Sequence, residues 1–373
     1  MKILMVCSTY PGAGKPRCGI GEYTHKLVTS LRSEHVSVEI LPGDRVDETL
    51  RFGRENACDL VHWQYHPRTY GPQLRNYRLG LVSRTRRNRL PLLVTMHTIR
   101  DQGKGSFARS FLARAGADHV IFTNHHDARA WAFPLLLPPG KRTICPVGPT
   151  VVVSPSSHRD PRAELGLSAQ TFLLSTFGFL NRGKGLPLLF QAMTRLKMSL
   201  DQVCLAIVGE VRPEAAALEK ELKTLAHRLN LQDSIRWLGE LPDEGVSRLL
   251  AASDLYVLPY SEGASTKRTT LMTGLAHGSV IVTTESRDRF FPLQNGVHLE
   301  CVPRQDPEAL AQRILDLYAC PGHRKALATA ALKMAPLFSW ETIGQTHLQL
   351  YRRFFEGISA RNQEDPCPSS GES

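Results

Sequence analysis

The stretch DLYVLPYSEGASTKRTTLMTGLAHGSVIVTT, residues 254–284, sets out the architecture in miniature. DLYVLPY (254–260) and SVIVTT (279–284) are short apolar runs rich in β-branched and aromatic residues, the pattern of strands covered on both faces. Between them, a turn of small residues, Glu262-Gly263-Ala264-Ser265, leads into a helix beginning near Thr269. A strand, a helix and a second buried strand make a βαβ crossover, the unit of a parallel α/β sheet.

Working outward, the same alternation fills the chain. TFLLSTFGFL (171–180), QVCLAIVGE (202–210) and SIRWLGEL (234–241) are further strands of the C-terminal half, and residues 214–230 form a helix with Leu218, Leu222, Leu225 and Leu229 on one face. In the N-terminal half the predicted strands are KILMVC (2–7), VSVEIL (36–41), DLVHWQY (59–65), PLLVTMH (91–97), HVIFTN (119–124) and RTICPVG (142–148), with a helix from Glu22 to about Arg32. Two closing helices are expected, one near PEALAQRILDLYA and one over roughly 323–355. At 373 residues the chain is too long for one ordinary core. The expected division is an N-terminal Rossmann-like domain over 1–150, a Pro- and Ser-rich linker over 151–165 and a second Rossmann-like domain over 166–338. A C-terminal helix over 339–360 and a polar, disordered tail over 361–373 follow.

Composition narrows the function classes. No apolar run approaches the roughly 20 residues of a membrane-spanning helix, and the N-terminus reads as a first strand rather than a signal peptide, so a cytoplasmic protein is expected. The eight cysteines are scattered without CxxC or zinc-finger spacing and read as free thiols. There is no Asp-x-Asp, so no metal is expected. Of the net charge of +11, all lies N-terminally: residues 1–150 hold 22 Lys+Arg against 11 Asp+Glu, and the remainder 24 against 24. RNYRLGLVSRTRRNRL (75–90) carries six arginines with Leu74, Tyr77, Leu81 and Val82 near one helical face. It suits peripheral contact with an anionic membrane surface as well as a solvated helix face. Nucleic acid is not the expected partner, since no zinc-finger or RRM signature accompanies the charge.

Several loops carry candidate chemistry. GAGK (12–15) is not a phosphate-binding P-loop, because Pro16 follows the lysine and Thr9 stands where the first glycine belongs. Gly19 and Gly21 open the first helix, where glycine lets amides approach an anion or simply permits a tight turn. In GFLNRGKG (178–185), Arg182 and Lys184 can neutralise a diphosphate as its bond to a sugar breaks, or form a solvated basic turn. Glu262 beside Gly263, Ala264 and Ser265 can bind sugar hydroxyls while the amides meet phosphate oxygens, a reading that the small residues favour over a surface loop with one solvated Glu.

In order and spacing, CGIGEYT, DLVHWQY, VTMH, GFLNRGKG, LAIVGE, IRWLGELP, ASDLYVLPYSEG, LAHGSVIVTT and FSW (338–340) resemble the family 4 glycosyltransferases nearly end to end. That resemblance implies the α/β GT-B fold, two Rossmann-like domains facing each other across a cleft. It also implies retaining, metal-independent transfer from a nucleotide-sugar donor to a glycan, lipid-linked or small-molecule acceptor. It makes Lys184 the diphosphate lysine, Glu262 the holder of the donor sugar, and Gly263, Ala264 and Ser265 the amides over the phosphates. Gly19 and Gly21 become the flexible loop facing the diphosphate, and His97 the acceptor-side histidine near the reacting carbon. The chain departs from the family twice. Phe179 stands where an arginine usually follows the strand-end glycine, leaving Arg182 as the substitute. The second Glu of the Glu, seven residues, Glu motif is missing: counting forward gives Thr270 and aligning backward from 276–278 gives Thr273, because the loop is three residues longer and holds Lys267 and Arg268. The catalytic candidates are His97, Lys184 and Glu262; His62, His66, His125 and His126 read first as structural strand-end histidines and second as acceptor-site lining. A non-catalytic GT-B-like protein that binds sugar nucleotides or glycans is the alternative.

Overall fold

A computed structural model of the chain describes residues 1–11, 18–43, 46–66, 90–97, 117–129, 139–154, 161–288 and 291–364. The GAGK loop, nearly all of the arginine-rich stretch 75–90, residues 155–160 of the expected linker and residues 365–373 of the expected tail lie outside these.

The chain divides into two compact units, Met1–Pro146 with Trp340–Ser373, and Val147–Ser339. Among the described residues the first runs β1 (Lys2–Val6), α1 (Gly19–Ser33), β2 (Ser37–Leu41), α2 (Val46–Glu55), β3 (Leu60–Tyr65), β4 (Leu92–Met96), β5 (His119–Phe122), α3 (His125–Arg129) and β6 (Arg142–Ile144). The second runs α4 (Pro161–Glu164), β7 (Phe172–Phe177), α5 (Leu186–Ser199), β8 (Val203–Val208), α6 (Ala216–Arg228), β9 (Ile235–Gly239), α7 (Asp243–Ala252), β10 (Leu255–Leu258), α8 (Thr269–Ala276), β11 (Ile281–Thr284), β12 (Glu300–Val302), α9 (Pro307–Ala319) and α10 (Pro321–Met334). The chain then returns to the first unit with α11 (Trp340–Glu364).

Each unit holds a six-stranded sheet, ordered β2-β1-β3-β4-β5-β6 in the first and β12-β11-β10-β7-β8-β9 in the second, and every strand pair is parallel. The apolar runs explain this: β3, β4, β5, β8 and β10 are buried at every position, as strands under helices on both faces must be. In the second unit Leu189, Phe190, Met193 and Leu196 of α5 pack with Leu174, Leu205 and Val257 of the sheet. In the first, α11 lies along α1: the Ser30 hydroxyl donates to the Trp340 carbonyl at 2.7 Å, and a Cβ on Gly344 would overlap Ser30.

Three expectations need correction. The helix expected over 323–355 is two helices, since Pro336 lacks the amide that an unbroken helix needs there and Ser339 turns extended before Trp340 starts α11. The tail expected from residue 361 starts no earlier than 365, because α11 continues to Glu364. The sixth strand of the second sheet, β12, was not foreseen: its three residues are too few to show a period.

Candidate functional site

In the second sheet the chain starts at β7, steps outward through β8 and β9, and returns to the other side of β7 at β10. Open α/β sheets bind ligands beyond the carboxyl ends of their strands at such a switch point. Here those ends lead into Gly178–Gly185 after β7 and Pro259–Arg268 after β10.

Gly178 leaves β7 with φ +123, and an added Cβ would fall 2.5 Å from Lys184 Nζ and 2.8 Å from Thr270 Cγ2. The missing side chain makes room for Lys184, which lies in the short 3-10 turn Arg182–Lys184. Its ammonium donates to the Phe177 carbonyl at 3.0 Å and to the Thr270 hydroxyl at 3.1 Å, both neutral oxygens. Burial, with the Arg268 charge beside it, pushes the lysine down from 10.5 to about 7. The Arg268 guanidinium is centred 4.9 Å from the Tyr260 ring, and Lys184 Nζ lies 5.6 Å from the same ring. Arg268 also pairs with Glu262 Oε2 at 2.8 Å, their side chains 24% and 47% exposed. The Tyr260 hydroxyl, bonded to Thr270 Oγ1 at 2.7 Å, is pushed up to about 12 by burial and stays protonated.

Lys184, Glu262 and Arg268 are thus brought together; the other candidates are not all placed alike. Arg182 turns outward to Glu221 at 2.8 Å, with 75% and 55% of the two side chains exposed. The Gly263 and Ala264 amides point inward, to the carbonyls of Tyr260 and Thr284, each at 3.0 Å. Among the described residues the Ser265 amide of those three has no hydrogen-bond partner, nor have those of Thr269 and Thr270, which start α8 with no side-chain cap. The backbone of Lys267 lies against the Ser265 hydroxyl at 3.4 Å.

Thr270 and Thr273, the two positions that the resemblance offers for the second Glu, do different work. Thr270 holds Lys184. Thr273 is fully buried, and its hydroxyl accepts the Thr150 and Val151 amides at 3.0 and 3.3 Å while donating to the Thr269 carbonyl at 3.0 Å. The Phe179 ring is covered by the Arg212 guanidinium, 3.9 Å from its centroid. Sequence reading missed Arg212 and Tyr260 as neighbours of this site, and only the pairing of β8 with β7 brings Arg212 there.

The first unit holds the remaining candidates. Cys18 caps α1, its thiol accepting the Gly21 amide at 3.2 Å. A Cβ on Gly21 would overlap the Thr9 carbonyl, so this glycine serves close packing, whereas a Cβ on Gly19 would meet nothing within 4 Å among the described residues. His97, just past β4, donates from Nε2 to Gln64 Oε1 at 2.9 Å, and Gln64 Nε2 donates to His62 at 3.2 Å and to the Met5 sulfur at 3.2 Å. His62 completes the chain through Tyr351 at 2.6 Å and Thr95 at 2.8 Å. Burial, then the neighbouring His66, pushes His97 down to about 3, so the ring is neutral with Nδ1 carrying the lone pair. His62 is fully buried within β3, in the middle of the strand rather than at its end, and so does not line a surface. Among the described residues no group of three or more His, Cys, Asp or Glu is arranged to hold a metal, and no helix is long and apolar enough to cross a membrane.

Residues 171–320 match the family described as Glycosyl transferases group 1. The chain is similar to a D-inositol 3-phosphate glycosyltransferase of Kribbella flavida, 23% identical over 300 residues that cover 76% of this chain and 70% of that one. The matches to two further curated relatives of that description span 48% and 45% of their length. Among solved structures, the sucrose-phosphate synthase of Thermosynechococcus elongatus superposes with a TM-score of 0.76 at 19% identity, covering 95% of this chain and 99% of that one. The Anabaena protein HepE, solved with UDP and glucose, gives 0.73 at 18% identity over 95% of this chain and all of its own. Residues 171–320 are a glycosyl transferases group 1 domain, in a chain whose two parallel six-stranded sheets have the GT-B fold.

Proposed function

We propose that the chain is a retaining glycosyltransferase that moves a sugar from a nucleoside-diphosphate sugar to an acceptor hydroxyl and needs no metal. The observation that carries this reading is the convergence of Lys184 and Arg268 on the Tyr260 ring at the switch point of the second sheet. As the bond from the anomeric carbon to the diphosphate oxygen breaks, negative charge grows on the leaving phosphate, and two cations in a partly dry site stabilise it. The departing phosphate oxygen accepts the acceptor's proton as the new glycosidic bond forms on the same face. Glu262 bonds the sugar's hydroxyls, and the amides of Ser265, Thr269 and Thr270 are assigned to phosphate. His97, neutral and held by Gln64, is assigned to the acceptor side.

The solved relative that holds UDP and glucose makes UDP-sugars the first donors to try. The inositol-phosphate relatives make small polyol phosphates the first acceptors, beside glycans and lipid-linked sugars. The N-terminal excess of Lys and Arg favours an anionic acceptor or an anionic membrane surface, and a cytoplasmic, peripheral location. Thermal denaturation with UDP, GDP, ADP and their sugars tests the donor site, since a ligand at 100 times its dissociation constant adds about 2.7 kcal/mol. The anomeric configuration of the product, read by NMR, tests retention. A non-catalytic sugar-nucleotide binder is the second reading, favoured by the burial of Thr273 where the family carries a carboxylate. Nucleotide binding without turnover on any acceptor would establish it.

A further inference from the structure

Arg268 combines three surroundings. One edge of its guanidinium is held by Glu262, its face lies on Tyr260, and its Nε is buried without a hydrogen-bond partner among the described residues. Lys184, over the same ring, pairs with no carboxylate among the described residues. Two cations thus share one ring with a single carboxylate between them, and that carboxylate is nearly half exposed.

Resting on the donor reading above, we propose that Arg268 is a switchable second cation of the diphosphate site, whose transfer from Glu262 to the phosphates releases Glu262 to the donor sugar. In the ligand-free chain the Glu262 pair holds Arg268 beside Lys184 and offsets part of their mutual repulsion. As the side chain leaves Glu262, an arriving diphosphate offers oxygens to both guanidinium edges, including the Nε that has no partner among the described residues, in the two-point geometry that guanidinium groups favour. Glu262, relieved of its partner, then accepts from sugar hydroxyls. Phosphate binding and sugar recognition are coupled through one ion pair, and the inserted Lys267-Arg268 segment supplies the cation that Phe179 does not.

The test measures dissociation constants of uridine, UMP, UDP and UDP-glucose, with the guanosine and adenosine series in parallel, for the wild type, R268Q, R268K and E262Q. Each variant's unliganded melting point reports that it folds. The expected pattern is loss on the order of tenfold or more for the diphosphates in R268Q, with nucleoside and monophosphate within about twofold, and partial retention in R268K. E262Q is expected to bind UDP at least as tightly as the wild type while losing the extra affinity that the sugar gives UDP-glucose. Equal losses across the series in R268Q, no loss at all, or weaker UDP binding in E262Q would overturn the proposal and leave the donor site standing. Failure of the wild type to bind any nucleotide would remove the donor reading, and this proposal with it.

Discussion

Lys184 donates to the Thr270 hydroxyl at 3.1 Å, and that hydroxyl meets the Tyr260 hydroxyl at 2.7 Å. The ammonium is therefore oriented by neutral groups, in a setting that disfavours its charge.

Its protonation should follow the ligand. Burial and Arg268 lower Lys184 to about 7 from 10.5 in the folded chain, so between those values the unfolded chain binds the extra proton and ligand-free stability rises with pH. A diphosphate favours the charged form, so binding takes up a proton above pH 7 and affinity falls by up to about tenfold per pH unit above it. Calorimetry at pH 8 in two buffers of different ionisation enthalpy should show that uptake. K184R, charged throughout, should bind with little pH dependence, and K184A should lose most diphosphate affinity; binding without proton uptake in the wild type rejects this account.

Gly178 is the space that Lys184 occupies. With φ +123 and a Cβ only 2.5 Å from Nζ, Gly178→Ala should strain the backbone by roughly 1–3 kcal/mol and displace the ammonium. Urea denaturation and UDP titration on the same sample check both effects. Unchanged UDP affinity in a folded G178A protein would mean that the lysine is not held where the diphosphate binds.

The first unit should be the acid-sensitive one. His97 is lowered to about 3, and His119 and His347 to about 4, burial being the largest cause in each. The unfolded chain binds these protons between about pH 6.5 and the folded-state values, so stability is lost as pH falls through that window, with a slope of about 1.4 kcal/mol per pH for each histidine. Removing Trp237 leaves tryptophan fluorescence from Trp63, Trp131 and Trp340, all within the sequence of the first unit. In W237F the acid transition should move to lower pH when His347→Gln is added; an unmoved midpoint would show that another group sets it.

The residues of the fold that sequence made legible are those whose signal is local. Buried runs such as FLLSTF and LYVL declare parallel strands because both faces are apolar, and Lys184 and Glu262 stand in the loops that follow these two strands. What escaped depends on pairing distant in sequence. The three residues of β12 are a strand only beside β11, and Arg212 reaches Phe179 only because β8 lies next to β7. Nor does counting along the loop after β10 show that Thr270 and Thr273 differ in role: that needs Lys184 on the first hydroxyl and the Thr150 and Val151 amides on the second.

Those last contacts make position 273 a test of whether this chain has changed its use of the site or merely lost a residue. The Thr273 hydroxyl accepts two backbone amides in a fully buried setting, so Thr273→Val should cost about 1–3 kcal/mol by leaving those donors unmade. Thr273→Glu restores the residue type that the family carries but places a carboxylate where Thr150 and Val151 pack. It should destabilise at least as much as valine and bring no gain in nucleotide affinity. Urea denaturation of both variants, with UDP and GDP titrations of T273E, distinguishes the cases. Tighter nucleotide binding by a stably folded T273E would show that the ribose site survives and that the hydroxyl's backbone contacts are dispensable.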